Sequence, residues 1–374
     1  MDTKKIKVLL VSNTLSCGGA ERQIVHMANA LNKSGAYDAD VLYYANEGGD
    51  FVNDLTRAPL YVDKEINGSL KFIRILAGIL KRGEYDVVHA AGGSANIYAR
   101  AAGILAHTKA IFGNMRGKRH FKGRNARIVN SFLNLFAKDW IVNNPDLIPI
   151  LMRDLRHVRR ERVYLLLNSY EPASAVDYRK DEVTEYDADR NGAFVFGTVG
   201  RFARIKNYPM FLRAAARISE KHENVRFWMI GDGDEMENCR ELAAALGIAD
   251  LVTFWGFRTD TDVAMSRMDV YVQCSDSEGT PNTVLEAMRA SRPILMTRST
   301  DLSLIMEEGE NGYTLPVGDE DALVAGMERL LASSPEEREK MGAHSSRLFE
   351  KSFLEESAVC AWDRVYRQVL EGKR

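Results

Sequence analysis

Ser275-Asp276-Ser277-Glu278-Gly279-Thr280-Pro281-Asn282-Thr283-Val284-Leu285-Glu286-Ala287-Met288 follows the apolar run Asp269-Val270-Tyr271-Val272-Gln273-Cys274. The run reads as a buried strand, and Thr280 and Pro281 supply an N-cap and a first helical position. Backbone N–H groups near Asn282 and Thr283 then lie at the positive end of a helix dipole, which suits a phosphate. Pro281 gives up only an N–H that has no helical partner. Glu278 falls in the loop and Glu286 one turn beyond Asn282, so two carboxylates flank one anion site. That arrangement describes a sugar nucleotide, with Glu286 for a ribose diol and Glu278 for the transferred sugar. Taken alone, a Glu pair eight apart reads more readily as a capped surface helix with solvated acids.

Upstream, Phe194-Val195-Phe196-Gly197-Thr198-Val199-Gly200 reads as a strand, then Arg201-Phe202-Ala203-Arg204-Ile205-Lys206-Asn207, then a helix from about Tyr208. A departing diphosphate accumulates negative charge, so fixed cations at Arg201 and Lys206 would stabilise the transition state more than the bound substrate. Two lone cations five apart would otherwise be surface charges beside a helix. Strands are also expected at 225–230, ahead of Gly231-Asp232-Gly233, at 251–256, ahead of Arg258, and at 293–297. Helices are expected at 319–332, 335–349 and 356–370. The last carries Trp362 and Tyr366 on one face and either crosses back to the first domain or hangs free.

The first half repeats the pattern: a strand at 6–11, the loop containing Gly18-Gly19, and an amphipathic helix to about Lys33. Gly18 and Gly19 permit close approach of backbone to a phosphate. Further strands are expected at 39–44, 58–62, 86–90, 110–113 and 140–143, with helices at 70–81 and 96–106. Such alternation implies a doubly wound α/β domain. His89 ends a strand, where open α/β sheets place ligand-binding residues, but it reads equally well as a buried structural histidine. Residues 168–192 are polar and irregular, with Pro172 and Asn191-Gly192.

At 374 residues the chain can fold as two domains, and no apolar segment approaches a bilayer span. Met1 to Lys7 is basic, but Ser12-Asn13-Thr14 ends the following apolar run before a signal-peptide core forms. The four cysteines lack metal-ligand spacing and suit free thiols in a reducing cytoplasm. The net charge of −2 hides an asymmetry: residues 1–170 carry 25 Lys plus Arg against 15 Asp plus Glu. Between Asp86 and Asp139 there is no acid at all. An anionic membrane surface or a phosphorylated acceptor explains this better than nucleic acid, for which no motif is present. A solvated basic face is the plain alternative. The segment 151–160 could form a basic amphipathic helix at a membrane surface, although a plain solvated helix is the stronger reading.

Glu278 and Glu286, with Gly279, Asn282, Leu285 and Ala287, resemble the E-x7-E element of the retaining glycosyltransferases of family 4, also called group 1. Gly18-Gly19-Ala20-Glu21-Arg22 is similar to the family's first-helix opening, and Gly200-Arg201 with Lys206-Asn207 to its G-R-x4-K-N element. The resemblance implies a GT-B fold, α/β with two Rossmann-like domains facing across a cleft and the C-terminal helix crossing back to the N-terminal domain. It implies 1–170 with 356–374 as the acceptor domain, 171–192 as hinge, and 193–355 as the nucleotide-sugar domain.

The activity implied is metal-independent, retaining transfer from a nucleotide-diphosphate sugar, a UDP-sugar being expected, with no cofactor. The acceptor would be a glycan or polyprenyl-linked hydroxyl, in cell-surface polysaccharide synthesis at the cytoplasmic face of the membrane. Arg201, Lys206 and Glu278 would act in catalysis. Gly18, Gly19, Arg258, Gly279, Thr280, Asn282, Thr283 and Glu286 would bind the donor. Family members often carry a histidine where Arg116 stands here, so Arg116 and His89 are candidates for donor-sugar or acceptor contacts. Rival classes are a sugar-nucleotide epimerase of the same architecture, which needs no acceptor, and a non-catalytic nucleotide-sugar-binding protein, which would bind without turnover.

Overall fold

The computed structural model describes residues 4–372 apart from 17, 46–48, 119, 120, 122, 180 and 181. Two compact units emerge, residues 1–170 with 353–374, and residues 171–352. The first contains β1 (Ile6–Ser12), β2 (Tyr37–Tyr43), β3 (Leu60–Tyr61), β4 (Val87–Ala90), β5 (Ala110–Met115), β6 (Asp139–Val142) and β7 (Val163–Leu165). These form one sheet in the order β3-β2-β1-β4-β5-β6-β7, every pair parallel. Its helices are α1 (Gly19–Lys33), α2 (Lys64–Arg82), α3 (Ala95–Ala106), α4 (Arg124–Leu133) and α5 (Leu147–Asp154). Both faces of the sheet are covered, so the strands read as near-continuous apolar runs such as Val8-Leu9-Leu10-Val11, all fully buried.

The second unit has β8 (Phe194–Val199), β9 (Val225–Ile230), β10 (Val252–Gly256), β11 (Val270–Gln273), β12 (Ile294–Thr297) and β13 (Gly312–Leu315), ordered β10-β9-β8-β11-β12-β13 and all parallel. Its helices are α6 (Glu185–Arg190), α7 (Tyr208–Ser219), α8 (Met236–Ala245), α9 (Thr261–Arg267), α10 (Asn282–Arg289), α11 (Glu320–Ala332) and α12 (Pro335–Phe353). In each sheet the strand order reverses beside the first strand of the unit, at β1/β4 and at β8/β11. Open α/β sheets leave a crevice for ligands at such a reversal, beyond the carboxyl ends of the strands.

The final helix, α13 (Glu355–Leu370), belongs to the first unit. Trp362, Val365 and Tyr366 are buried in its core beside Val8, Tyr37 and Phe112. Tyr37 donates to Asp363 (2.6 Å), and Tyr170 N–H and C=O bond to Phe353 O (2.9 Å) and Glu355 N (3.0 Å). The aromatic face thus covers the first sheet, as the crossing-back alternative requires.

Three local readings change. Residues 171–192 group with the second unit and do not form a bare hinge. Asp189 of α6 accepts from Trp228 Nε1 (2.7 Å) and Thr253 Oγ1 (2.9 Å), while Arg190 grips Asp269 with both carboxylate oxygens at 2.9 Å. The acids that make this segment look like a linker are its anchors. Second, α2 begins at Lys64, with Gly68 at φ 66 breaking its first turn, so the regular pattern resumes near Leu70. Third, residues 151–160 form no single amphipathic helix: α5 ends at Asp154, and Leu151 and Leu155 are buried.

His89 is 1 % exposed, with Nδ1 2.7 Å from Tyr366 Oη and Nε2 2.9 Å from Asn114 Nδ2. The amide nitrogen of Asn114 can only donate, so Nε2 accepts and the ring proton sits on Nδ1. Burial, helped by the nearby Arg116 charge, lowers its pKa to about 3. Both nitrogens are engaged inside the unit, which assigns His89 to the core and not to a ligand surface. The unfolded chain protonates this histidine near the ordinary value while the folded chain does not. Stability is therefore expected to fall as the pH drops from about 6.5 towards about 3, by up to about 1.4 kcal/mol per pH unit. Urea unfolding of wild type and His89→Gln across that range tests this. The variant should show the shallower loss, and parallel curves would refute it.

Candidate active site

Parallel pairing of β8 with β11 (Val270↔Phe196, Tyr271↔Gly197) places the loops that follow them side by side. Asp276 N donates to Ile205 O (2.8 Å), and Asn207 Nδ2 to Asp276 Oδ1 (2.9 Å), locking one loop to the other. Lys206 and Glu278, 72 residues apart, meet here with Nζ 2.7 Å from Oε1. The same oxygen accepts from Ser275 Oγ (2.7 Å) and Gln273 Nε2 (3.3 Å). Glu278 is only 15 % exposed, so this shell of donors compensates the cost of burying its charge. Ser275 and Gln273 escape a motif reading, although both lie in the quoted stretch, at the end of the strand that leads to Glu278.

Arg201 is solvent-exposed on the loop after β8, and Lys206 closes that loop ahead of α7. Gly231 lets the loop after β9 press against it. At φ 133, a Cβ there would lie 2.1 Å from Gly200 O. Gly-Asp-Gly is therefore a packing joint between two site loops, and Asp232 caps its own turn through Gly233 N (2.7 Å).

The helix α10 has Pro281 in the capping position, one residue later than expected, and Thr280 does not cap it. Intrahelical bonding begins with Val284 N to Pro281 O (3.1 Å). The N–H groups of the first turn, Asn282 and Thr283 among them, lie outside that ladder, at the positive helix end. Thr283 Oγ1 is 2.7 Å from Tyr271 Oη, which also reaches Val199 O (3.2 Å), so β8, β11 and α10 are tied at one point. Gly279 O accepts from Thr300 Oγ1 (2.6 Å). Glu286 is buried at 4 % exposure on α10, where its charge acts on Tyr271 and Arg289. An acid this buried on a short helix is not a solvated surface group.

Arg258 lies elsewhere in the second unit. Its guanidinium is held by Asp260 (2.9 Å) and Glu185 (2.5 Å) over the Tyr186 ring. In the first unit Gly18 precedes α1, and a Cβ on it would meet Glu21 Oε2, which folds back over the helix start. Gly19 is exposed beside it. Arg116 follows β5, with Nη1 3.5 Å from Asn168 Oδ1 and a buried Nε that has no hydrogen-bond partner. Burial lowers its pKa to about 10, opposed by the field of Glu21, so it stays cationic at neutral pH. Cys17 lies outside the described residues.

Two doubly wound parallel sheets, one with cations, a shielded carboxylate and a helix start gathered at its switch point, define a protein of two Rossmann-like domains. Residues 193–333 match the family described as glycosyl transferases group 1, and residues 17–148 match glycosyltransferase family 4. The lipopolysaccharide core biosynthesis glycosyltransferase LpsE of Rhizobium meliloti is 29 % identical over 85 % of this chain and 86 % of its own. A galactosyltransferase of Escherichia coli, named as acting from UDP-Gal on GlcNAc-diphosphoundecaprenol, is 23 % identical over 78 % and 80 %. The crystal structure of Anabaena HepE in complex with UDP superposes with a TM-score of 0.78 at 18 % identity, covering 98 % of this chain and 99 % of that one. The chain belongs to the group 1, family 4-like glycosyltransferases and has their two-domain GT-B fold.

Gly231→Ala is expected to destabilise the second unit by at least about 2 kcal/mol, because a left-handed backbone and a backbone clash coincide there. Gly247→Ala, at φ 71 with open space around it, should cost only about 1 kcal/mol. Chemical denaturation of both variants reads the difference; equal costs would remove the packing argument.

Proposed function

We propose that this glycosyltransferase moves a sugar from a UDP-sugar to a hydroxyl of a glycan or lipid-linked acceptor, retaining the anomeric configuration and using no metal. The observation that carries the reading is the convergence of Lys206, Glu278 and the start of α10 at the β8/β11 switch point. The UDP of the HepE complex and the donor and acceptor in the E. coli enzyme's name support the choice of substrates. In this reading the α10 N–H groups and Arg201 hold the diphosphate. Lys206 has three donors and gives one to Glu278, which leaves two for a phosphate oxygen.

As the sugar C1–O bond to the phosphate breaks, charge grows on the leaving diphosphate, where these cations act in place of a metal. The acceptor hydroxyl attacks C1 from the same face, and its proton passes to the departing phosphate oxygen. Glu278 orients the sugar hydroxyls, Glu286 takes the ribose, and the Arg258 backbone meets the base. Gly18 and Gly19 are read as phosphate-binding positions of the first unit. Arg116 receives an anionic group of the donor sugar or acceptor. The pathway proposed is cell-surface polysaccharide or lipopolysaccharide synthesis at the cytoplasmic membrane face, with the basic first unit towards an anionic membrane.

Calorimetry and donor hydrolysis across UDP-, GDP-, ADP- and CMP-sugars test the reading. UDP-sugars should bind selectively, Glu286→Ala should weaken binding, and Arg201→Ala or Lys206→Ala should reduce turnover by about 100-fold or more. EDTA should leave turnover unchanged, and product NMR should show the donor's anomeric configuration. UDP-glucuronate against UDP-glucose tests Arg116. Failure of every nucleotide sugar to bind would overturn the function.

A further inference from the structure

α4 turns Asn130 and Leu133 inward and most of its apolar side chains outward. Asn130 on the helix and Asn134 just after it are buried, while Ile128, Phe132 and Phe136 are 56 %, 60 % and 60 % exposed, and Val129 and Leu135 are exposed beside them. Ile128, Val129 and Phe132 share one helical face, and Phe136 in the turn after the helix lies against Phe132. Phe132 and Phe136 meet edge to face with ring centres 5.7 Å apart.

The cause lies beneath. Arg100 on α3 is fully buried and finds neutral acceptors on this segment: Asn130 Oδ1 (3.1 Å), Asn134 Oδ1 (2.5 Å) and Ala137 O (2.6 Å). Its guanidinium lies 4.5 Å above the Trp140 ring, and Trp140 Nε1 also donates to Asn134 Oδ1 (2.9 Å). Burial lowers the Arg100 pKa to about 9, which still leaves it charged at neutral pH. Turning α4 to hide its apolar stripe would strip a buried cation and a buried indole of their acceptors, a greater cost than exposing the stripe. The stripe is held outward by construction.

Its surroundings are cationic. Arg124, Arg127 and Lys138 are exposed along this segment, and exposed Arg156 is joined to it through Ser131 Oγ (3.0 Å) and Asn134 Nδ2 (2.7 Å). The bounding acid Asp139 is buried and taken up by Arg162 at 2.8 Å. A two-fold dimer across this face would set these cations against their own copies. An anionic surface with an apolar layer beneath it satisfies both features at once.

We propose that the outer face of α4 and the turn after it docks on an anionic lipid bilayer. Ile128, Phe132 and Phe136 enter the boundary between headgroups and acyl chains, while Arg124, Arg127 and Lys138 meet lipid phosphates. This gives the membrane element of the proposed function a specific surface, in place of the 151–160 segment. It can fail separately, because vesicle binding needs neither donor nor acceptor.

The full chain is sedimented with sucrose-loaded vesicles of phosphatidylcholine alone or mixed with phosphatidylglycerol. Wild type should bind the mixed vesicles, Phe132→Ser/Phe136→Ser at least about tenfold more weakly. Arg124→Ser/Arg127→Ser should lose about tenfold of the preference for phosphatidylglycerol. All four side chains are exposed, so thermal midpoints should stay at the wild-type value. Phe132→Trp should show a blue-shifted emission with the mixed vesicles. Wild type failing to bind, the serine pair binding as tightly as wild type, or an unshifted Phe132→Trp emission would each overturn the proposal. So would light scattering that shows a dimer dissolved by the serine pair, which would make the face a contact between copies.

Discussion

The parallel pairing of β8 with β11 is the contact on which the candidate site depends. These strands are separated by two complete strand-helix excursions, yet they lie side by side at the reversal of strand order. Their carboxyl ends therefore release two loops into the same space. One brings Arg201 and Lys206, the other Glu278 and the start of α10. The hydrogen bonds of Asp276 to Ile205 and Asn207 then fix the loops to one another. Lys206, Ser275 and Gln273 all donate to one oxygen of the mostly buried Glu278 carboxylate, which offsets the cost of its burial.

Buried polar groups do comparable work in the first unit. His89 joins β4 to α13 through Tyr366, and Arg100 joins α3 to the segment around α4. Each is a titratable side chain in a dry place, and each is served by neutral partners. Neutral partners pin one geometry at the expense of a shifted protonation equilibrium. For α4 that geometry puts apolar surface in water, a local conflict of the kind that accompanies a binding surface.

Much of the architecture was legible in the chain because parallel strands covered on both faces become continuous apolar runs, and the intervening helices show their own period. The Lys206 and Glu278 pair was legible as two motif elements, although nothing in their spacing required them to touch. The segment 171–192 reads as a linker because its acids resemble solvated charge, until Trp228 and Thr253 donate to Asp189, Arg258 to Glu185 and Arg267 to Asp187. α4 went unnoticed because its polar asparagines and apolar phenylalanines match a buried helix turned the other way round.

By itself the sequence determined the two α/β halves, the family, and which loops carry cations and carboxylates, since these depend on local pattern and residue type. Tertiary structure alone decided that His89 is a buried tie between β4, β5 and α13, that Arg258 commits its side chain to Asp260 and Glu185, and which face of α4 meets solvent. The reason is physical: a side chain's chemistry is set by its own atoms, but its availability is set by what packs against it. Those neighbours come from strands and helices far along the chain, 277 residues away in the His89–Tyr366 contact and 326 in that of Tyr37 with Asp363.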